Sequence, residues 1–166
     1  MTNETVQVAI IMGSDSDLPV VEASFSILDD FGVKYTKNVM SAHRTPHDVM
    51  ELIKNSEENG CKVFIAAAGM AAHLAGAVAA HSTKPVIGIP IESGGMGGID
   101  SLLSTAMMPP GVPVATVAVG KSGAKNSAIL AAQILATSNE DLAQKLVEYK
   151  QNMRSEVLEK DKKLNS

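Results

Sequence analysis

Five short apolar runs recur along the chain, with room for a helix between successive runs. They begin near Val6, Lys34, Val63, Pro85 and Pro113. The first, third and fourth runs, VAIIM, VFIAAA and PVIGI, are continuously apolar rather than alternating. A strand with one exposed face alternates apolar and polar residues, whereas a strand covered on both faces does not. The runs therefore predict strands inside a parallel sheet.

The segments between the runs carry helical patterns. From Asp17 to Phe31, apolar residues recur on one helical face. Thr45 is predicted to cap a second helix, with Pro46 at its first position and Asn59-Gly60 at its end. Further helices are predicted from about Met70 to His81, from Ser122 to Ala136 and from Asn139 to about Lys160.

This alternation is typical of successive βαβ units, which build a doubly wound parallel sheet. The predicted fold class is α/β, as a single domain over residues 1–166 with a core from 6 to 137 and a helical extension from 139 to 160. The extension carries an apolar stripe, and the mostly apolar stretch from Ile99 to Pro113 has no obvious use within a monomer. Both features predict an oligomer.

Composition and charge exclude several classes of function. The formal net charge is −4, whereas general affinity for nucleic acid or an anionic membrane needs clustered Lys and Arg. Residues 63–80 are as long as a membrane span, but Gly69 and Gly76 interrupt them, which favours a buried strand and a helix. Cys61 has no partner for an internal disulfide and the first residues are polar, so we expect a cytoplasmic protein.

No motif for a metal or an organic cofactor is complete. His43 and His47 are four residues apart, but the predicted helix begins between them, so they share no helical face. The segment 120–122 resembles the end of a phosphate-binding loop, but Ala115 occupies the earlier glycine position. The glycines from 94 to 98 lack the dinucleotide-binding spacing and predict a mobile loop instead. We therefore expect no cofactor.

Polar and titratable residues follow each of the first three predicted strands. The three segments are Gly13–Asp17, Ser41–Arg44 and Gly69–His73. In open α/β sheets, ligands bind beyond the carboxyl ends of the strands, at the point where the strand order reverses. Because those ends share one edge of a parallel sheet, the three loops are predicted to form one site.

The first of these loops fits an anion or a sugar. Its glycine and two serines, at a helix N-terminus, offer N–H groups, hydroxyls and the positive end of the helix dipole. A carboxylate repels phosphate, so Asp17 suits ribose hydroxyls. The alternative is that Ser16 or Asp17 simply caps the helix.

The second loop indicates proton transfer. His43 is the side-chain type best suited to move a proton near neutral pH, and Arg44 beside it suits a phosphate or carboxylate. His73, predicted in the first turn of the third helix, either lines the pocket or orients a loop by a hydrogen bond. His47 and His81 are predicted to be surface or capping residues.

Taken in order, GSDSD, SAHRTP, AAGMAAHLAG and MPPGVPVATVAVG resemble the bacterial PurE family over roughly residues 6–160. Members of that family are N5-carboxyaminoimidazole ribonucleotide mutases of de novo purine synthesis. The resemblance implies a flavodoxin-like three-layer α/β/α sandwich assembled as a homo-octamer. It also implies transfer of a carboxylate from N5 to C4 of the imidazole ring, with no metal, nucleotide or organic cofactor.

The same resemblance implies roles for individual residues. His43 matches the catalytic acid/base, and Ser14, Asp17 and Arg44 match substrate-binding residues. Further pocket positions are matched by Ser16, Ser41, Ala42, Gly69, Ala72, His73 and Leu74.

The sequence departs from the family pattern in its third loop. Met70 stands where many members carry glycine, and Ala75 also replaces a common residue. A methionine at this position is expected to alter the loop conformation or the space for CO2.

Two alternatives stay open. Metazoan-type relatives carboxylate aminoimidazole ribonucleotide directly with CO2, but they typically carry SAHKT, so SAHRTP favours the mutase. The other alternative is a flavodoxin-like nucleotide-binding module without catalysis. Such a module would bind a ribonucleotide equally well after loss of His43.

Overall fold

The structure, a computed structural model, describes residues 5–166, so the first part of the predicted polar start lies outside the described residues. Five parallel strands form one sheet in the order β2-β1-β3-β4-β5. The strands are β1 (Val8–Met12), β2 (Tyr35–Val39), β3 (Val63–Gly69), β4 (Val86–Ile91) and β5 (Ala115–Thr116). All five predicted strands and their parallel arrangement are thus confirmed.

Helices connect the strands. They are α1 (Leu18–Phe31), α2 (Pro46–Glu58), α3 (Leu74–His81), α4 (Ile99–Ala106), α5 (Lys121–Ala136) and α6 (Glu140–Leu164). A single 3-10 turn at Asp15–Asp17 leads into α1. The prediction omitted α4 and began α3 four residues too early, at Met70.

Both faces of the sheet are buried, as the continuous apolar runs predict. In β1, Val8, Ile10 and Met12 pack on the side of α1 and α5, whereas Ala9 and Ile11 pack on the side of α2 and α3. All of β1 is buried. The result is the predicted three-layer α/β/α sandwich.

The omitted helix α4 packs directly on β4. A side chain at Gly88 of β4 would collide with Thr105 of α4. The buried residues of α4 are Ser101 and Thr105, while Ile99 and Leu103 are exposed. Amphipathic helices are predicted from apolar residues on the buried face and polar residues on the exposed face. In α4 the buried residues are polar and the exposed ones apolar, which explains why it was omitted.

The last helix, α6, packs on the body of the protein only through its first half. Leu142 is buried, and Leu146 and Tyr149 are partly buried against the core, but Val157 and Leu164 are exposed. Within residues 5–166 no helix is long and apolar enough to cross a membrane. The uncharged segment 63–80 is instead the predicted strand and helix, β3 and α3.

The strand order opens a crevice at one edge of the sheet. The chain leaves β1 towards α1 on one face and leaves β3 towards α3 on the opposite face. Neighbouring parallel strands whose connections diverge in this way leave a gap beyond their carboxyl ends. The three polar loops singled out by the sequence lie around this gap.

Candidate active site

The three loops meet in an open cleft of about 560 Å³. All the predicted site residues line this cleft except Ala72, whose side chain is buried with 1% exposure. Ser93, directly beyond β4, also lines the cleft and was not predicted. Because β4 pairs with β3, the carboxyl end of β4 lies at the same edge of the sheet. Treating the residues beyond the fourth strand as site candidates, as was done for the first three strands, would have included Ser93.

The first loop is closed by a capping box. The hydroxyl of Ser14 accepts the N–H of Ser16 at 3.3 Å, and a carboxylate oxygen of Asp17 accepts the N–H of Ser14 at 3.2 Å. Ser14 therefore caps the 3-10 turn that leads into α1. Of the two suggested caps, Asp17 occupies the N-cap position of α1 but its side chain makes no capping hydrogen bond there, and Ser16 occupies neither cap position. Two backbone N–H groups expected to bind an anion are thus already occupied within the loop.

Asp17 is a buried carboxyl group at the wall of the cleft, 7% exposed. Burial raises the pKa of Asp17 above its usual value, although the hydrogen bond from the backbone of Ser14 partly opposes this. A buried carboxylate gains most from partners that donate hydrogen bonds. Ligand hydroxyl groups would supply such donors, which agrees with the expectation of a sugar.

The second loop is fixed by two hydroxyl groups. The Ser41 hydroxyl accepts the N–H groups of His43 and Arg44, at 3.3 and 3.2 Å. Thr45 occupies the predicted cap position of α2, but its hydroxyl makes no capping hydrogen bond. That hydroxyl instead accepts the N–H of Ser41 at 2.9 Å and donates to the carbonyl oxygen of Ser41 at 3.1 Å. Thr45 therefore holds the loop that carries His43 rather than the helix.

Arg44 connects the second loop to the first. Its Nη2 donates to the carbonyl oxygen of Gly13 at 3.0 Å. A guanidinium has five N–H donors, so this bond fixes the side chain and leaves donors for an anionic ligand.

His43 is in contact with His73 of the third loop. Nε2 of His43 lies 2.7 Å from Nδ1 of His73, and the ring planes meet at 72°. One of these nitrogens donates a proton and the other accepts it. His73 immediately precedes α3 rather than lying in its first turn. It combines the two roles that the sequence left open, because it lines the cleft and also orients a loop residue.

The other titratable candidates lie outside the cleft. His47 is exposed on α2, and the ring of His81 bonds the carbonyl oxygen of Ala77 at the end of α3, so both are surface residues as predicted. Cys61 is buried, and burial raises the pKa of its thiol, which disfavours the reactive thiolate. No group of three His, Cys, Asp or Glu side chains within residues 5–166 is arranged to hold a metal ion.

The arrangement combines a proton-transfer group, a cation and acceptors for hydroxyl groups. His43, Arg44 and Asp17 come from different loops but border the same cleft. A phosphorylated sugar carrying a base or another group that exchanges protons fits this set.

Comparisons with known proteins agree with this chemistry. Residues 7–156 match the sequence model of a family described as AIR carboxylase. The chain is 52% identical to N5-carboxyaminoimidazole ribonucleotide mutase of Thermotoga maritima, over 95% of this chain and 91% of that protein. It is 46% identical to the Escherichia coli protein of the same name, over 95% of this chain and 93% of that protein. The crystal structure of Treponema denticola PurE superposes with a TM-score of 0.88 at 31% identity, covering 96% of this chain and 99% of that one.

We expect Asp17→Asn to be at least as stable as the wild type at neutral pH. The amide keeps an oxygen that accepts the Ser14 N–H and removes a buried charge. The pKa of Asp17 is raised in the folded state. The ionised Asp17 therefore lowers the free energy of unfolding of the wild type at pH values above that pKa, and this loss disappears as the pH falls towards 3.8. Urea unfolding of both proteins should therefore show an advantage of Asp17→Asn at neutral pH that shrinks in acid.

Asp30→Asn is the matched control, since Asp30 is an exposed carboxylate on α1. It removes an exposed charge instead of a buried one, so any gain in stability at neutral pH should be smaller than that of Asp17→Asn. A loss of stability in Asp17→Asn of equal size at both pH values would contradict the prediction, because it would indicate a structural role without a charge penalty.

Proposed function

Because the chain belongs to the AIR carboxylase family, we propose that it is an N5-carboxyaminoimidazole ribonucleotide mutase of purine synthesis. The observation that carries the proposal is the cleft in which His43 lies beside Arg44, Asp17 and His73. Its volume of about 560 Å³ lies within the range of roughly 300–1,000 Å³ usual for small-molecule sites.

Each part of the substrate has a matching group in the cleft. Arg44 supplies charged donors for the ribose phosphate, since guanidinium and phosphate pair well. Asp17 and Ser14, at the wall formed by the first loop, supply oxygens for the ribose hydroxyls. The imidazole ring then lies towards His43 and the third loop.

His43 moves the protons in the proposed reaction. As an acid it protonates N5 of the substrate, the bond from N5 to the carboxylate carbon breaks, and CO2 is released next to aminoimidazole ribonucleotide. C4 of the ring then attacks CO2 and forms the new carbon–carbon bond. Neutral His43 takes up the proton displaced from C4. The histidine thus begins and ends the cycle protonated, and no other reactant is needed.

The cleft must also hold both fragments. Once CO2 is released, recombination at C4 competes with escape of CO2 to solvent. Oriented groups in one site can reach effective molarities above roughly 10⁵ M, so retention favours recombination. Met70 and Ala71 of the third loop, with Leu74 at the start of α3, give this part of the cleft apolar walls suited to CO2.

The homo-octamer implied by the family resemblance is also part of the proposal. It is supported by an exposed apolar stripe on and beyond α4, formed by Ile99, Leu103 and Met107 at 58%, 53% and 77% exposure. Isolated apolar residues are common on surfaces, but a row spaced by four residues marks a contact face. Sedimentation velocity should give about eight times the 17.3 kDa chain mass, and a monomer would contradict this.

We also place the protein in the cytoplasm, because the phosphorylated intermediates of purine synthesis do not cross membranes. Cell fractionation that finds the protein elsewhere would contradict this.

A second candidate is direct carboxylation of aminoimidazole ribonucleotide by CO2, which the description of the matching family favours. The two reactions share a product and differ in the species that brings the carboxylate. We therefore expect rapid product formation from N5-carboxyaminoimidazole ribonucleotide alone and much slower formation from aminoimidazole ribonucleotide with bicarbonate. Product absorbance in paired assays measures both rates, and the reverse order would establish the carboxylase.

His43→Asn should bind substrate but convert it about 10²- to 10⁴-fold more slowly, because asparagine cannot exchange the proton. Calorimetric titration with product and single-turnover kinetics separate binding from conversion. His47→Asn is the matched control, since His47 is exposed and lies outside the cleft, and it should turn over normally. Near-normal turnover by His43→Asn would overturn the assignment, and binding without turnover by the wild type would indicate a non-catalytic module.

A further inference from the structure

The third loop carries an unfavourable backbone conformation at the edge of the cleft. Met70 has a φ of 55°, and among residues 5–166 it is the only residue other than glycine with positive φ. Left-handed backbone brings the Cβ of an L-residue too close to the following carbonyl oxygen. A methionine therefore adopts it only where neighbouring contacts hold the chain in place.

One such contact comes from Ser104 of α4. The N–H of Ala72 donates to the Ser104 hydroxyl oxygen at 2.9 Å. The hydroxyl has one proton, and its nearest acceptor is the carbonyl oxygen of Asp100 at 2.7 Å, so its lone pairs are free for Ala72. The carbonyl oxygen of Met70 lies 3.4 Å from the same hydroxyl. Ser104 thus contacts the backbone on both sides of Ala71.

The helix that carries Ser104 is itself fixed to the sheet. The hydroxyl of Ser101, which is fully buried, lies 2.9 Å from the carbonyl oxygen of Ile91 at the end of β4. Thr105 is also buried and packs against Gly88. Ser104 lies between these two anchors on α4, so its hydroxyl is presented to the third loop from a rigid support.

The residue after Ala72 is His73, which contacts His43. The N–H of His73 bonds the carbonyl oxygen of Ala71 at 2.9 Å, so the backbone turns tightly just before the ring. A shift of Ala72 would therefore be passed directly to His73, and from Nδ1 of His73 to Nε2 of His43, 2.7 Å away.

We propose that Ser104 is a positioning residue for the mutase reaction. Its bond to Ala72 holds the third loop in the left-handed conformation at Met70, and this places His73 against His43. Ser104 does not line the cleft and acts through the loop alone. The kinetic part of this inference rests on the proposed function, whereas the structural part does not.

Ser104→Ala removes the acceptor for the Ala72 N–H. We expect kcat to fall about 10- to 100-fold, since a displacement of about 1 Å can cost 10²-fold in rate, with a smaller change in KM because Arg44 and Asp17 keep their contacts. Ser104→Thr keeps the hydroxyl and should restore kcat. Steady-state kinetics on N5-carboxyaminoimidazole ribonucleotide measure both.

Ser127→Ala is the matched control for general loss of stability. Ser127 is also a helical serine bonded to a backbone carbonyl, that of Ala124 at 2.7 Å, but it lies on α5 away from the cleft. It should keep wild-type kcat even where its melting temperature falls as far as that of Ser104→Ala. A kcat of Ser104→Ala within twofold of the wild type, or an equal loss in Ser127→Ala, would overturn the proposal.

A second measurement does not need turnover. The imidazole nitrogen signals of His43 and His73 in ¹⁵N NMR should report their contact in the wild type and its loss in Ser104→Ala. If the wild type fails to turn over substrate, the proposed function fails while this measurement still decides the positioning role. Unchanged signals in Ser104→Ala would overturn that role.

The link to Met70 has its own test. Glycine adopts positive φ without the steric penalty. Ser104→Ala should therefore lower kcat by a smaller factor when Met70→Gly is also present. An equal loss in both backgrounds would show that the Ser104 bond does not oppose strain at Met70.

Discussion

The parallel pairing of β1 with β3 is the constraint on which the site depends. The ladder extends beyond the strands, because the N–H of Gly13 donates to the carbonyl oxygen of Ala67 at 3.0 Å. On the other side of β1, the N–H of Met40 donates to the carbonyl oxygen of Met12 at 2.9 Å. The three loops therefore leave the sheet from fixed positions relative to one another. Burial of β1 on both faces makes this framework stable.

Within that framework, the loops are joined by single contacts between polar groups. Arg44 reaches the backbone of Gly13, His43 meets His73, and the loop of His73 is bonded to Ser104. Because these contacts join segments that follow different strands, each depends on the sheet that brings those segments together. The site also holds features that cost stability, namely the buried carboxylate of Asp17 and the left-handed backbone at Met70. Such features persist where the surrounding structure fixes them, and they concentrate at functional sites.

The same fold can serve either the mutase reaction, which moves a carboxylate from N5 to C4, or the direct carboxylation of C4 by CO2. Both reactions end at the same carboxylated ring, and the same loops could bind either ribonucleotide. What separates them is whether the cleft keeps CO2 near C4 after its release. In the proposed mechanism that depends on the apolar residues around Met70 and on when His43 transfers its proton, and a shared architecture fixes neither.

The strands, five of the six helices and nearly every residue that lines the cleft could be predicted from the sequence. Strands buried on both faces have continuous apolar sequences, so they can be recognised. Because ligands bind beyond the carboxyl ends of parallel strands, Ser14, His43 and His73 can then be assigned to one site. The helix α4 became visible only in the structure, because its buried residues are Ser101 and Thr105 whereas Ile99 and Leu103 are exposed. The tertiary structure also decided the role of the Thr45 hydroxyl and the bond from Ala72 to Ser104. Such hydrogen bonds depend on which groups the fold brings together, and local sequence periodicity does not predict these contacts.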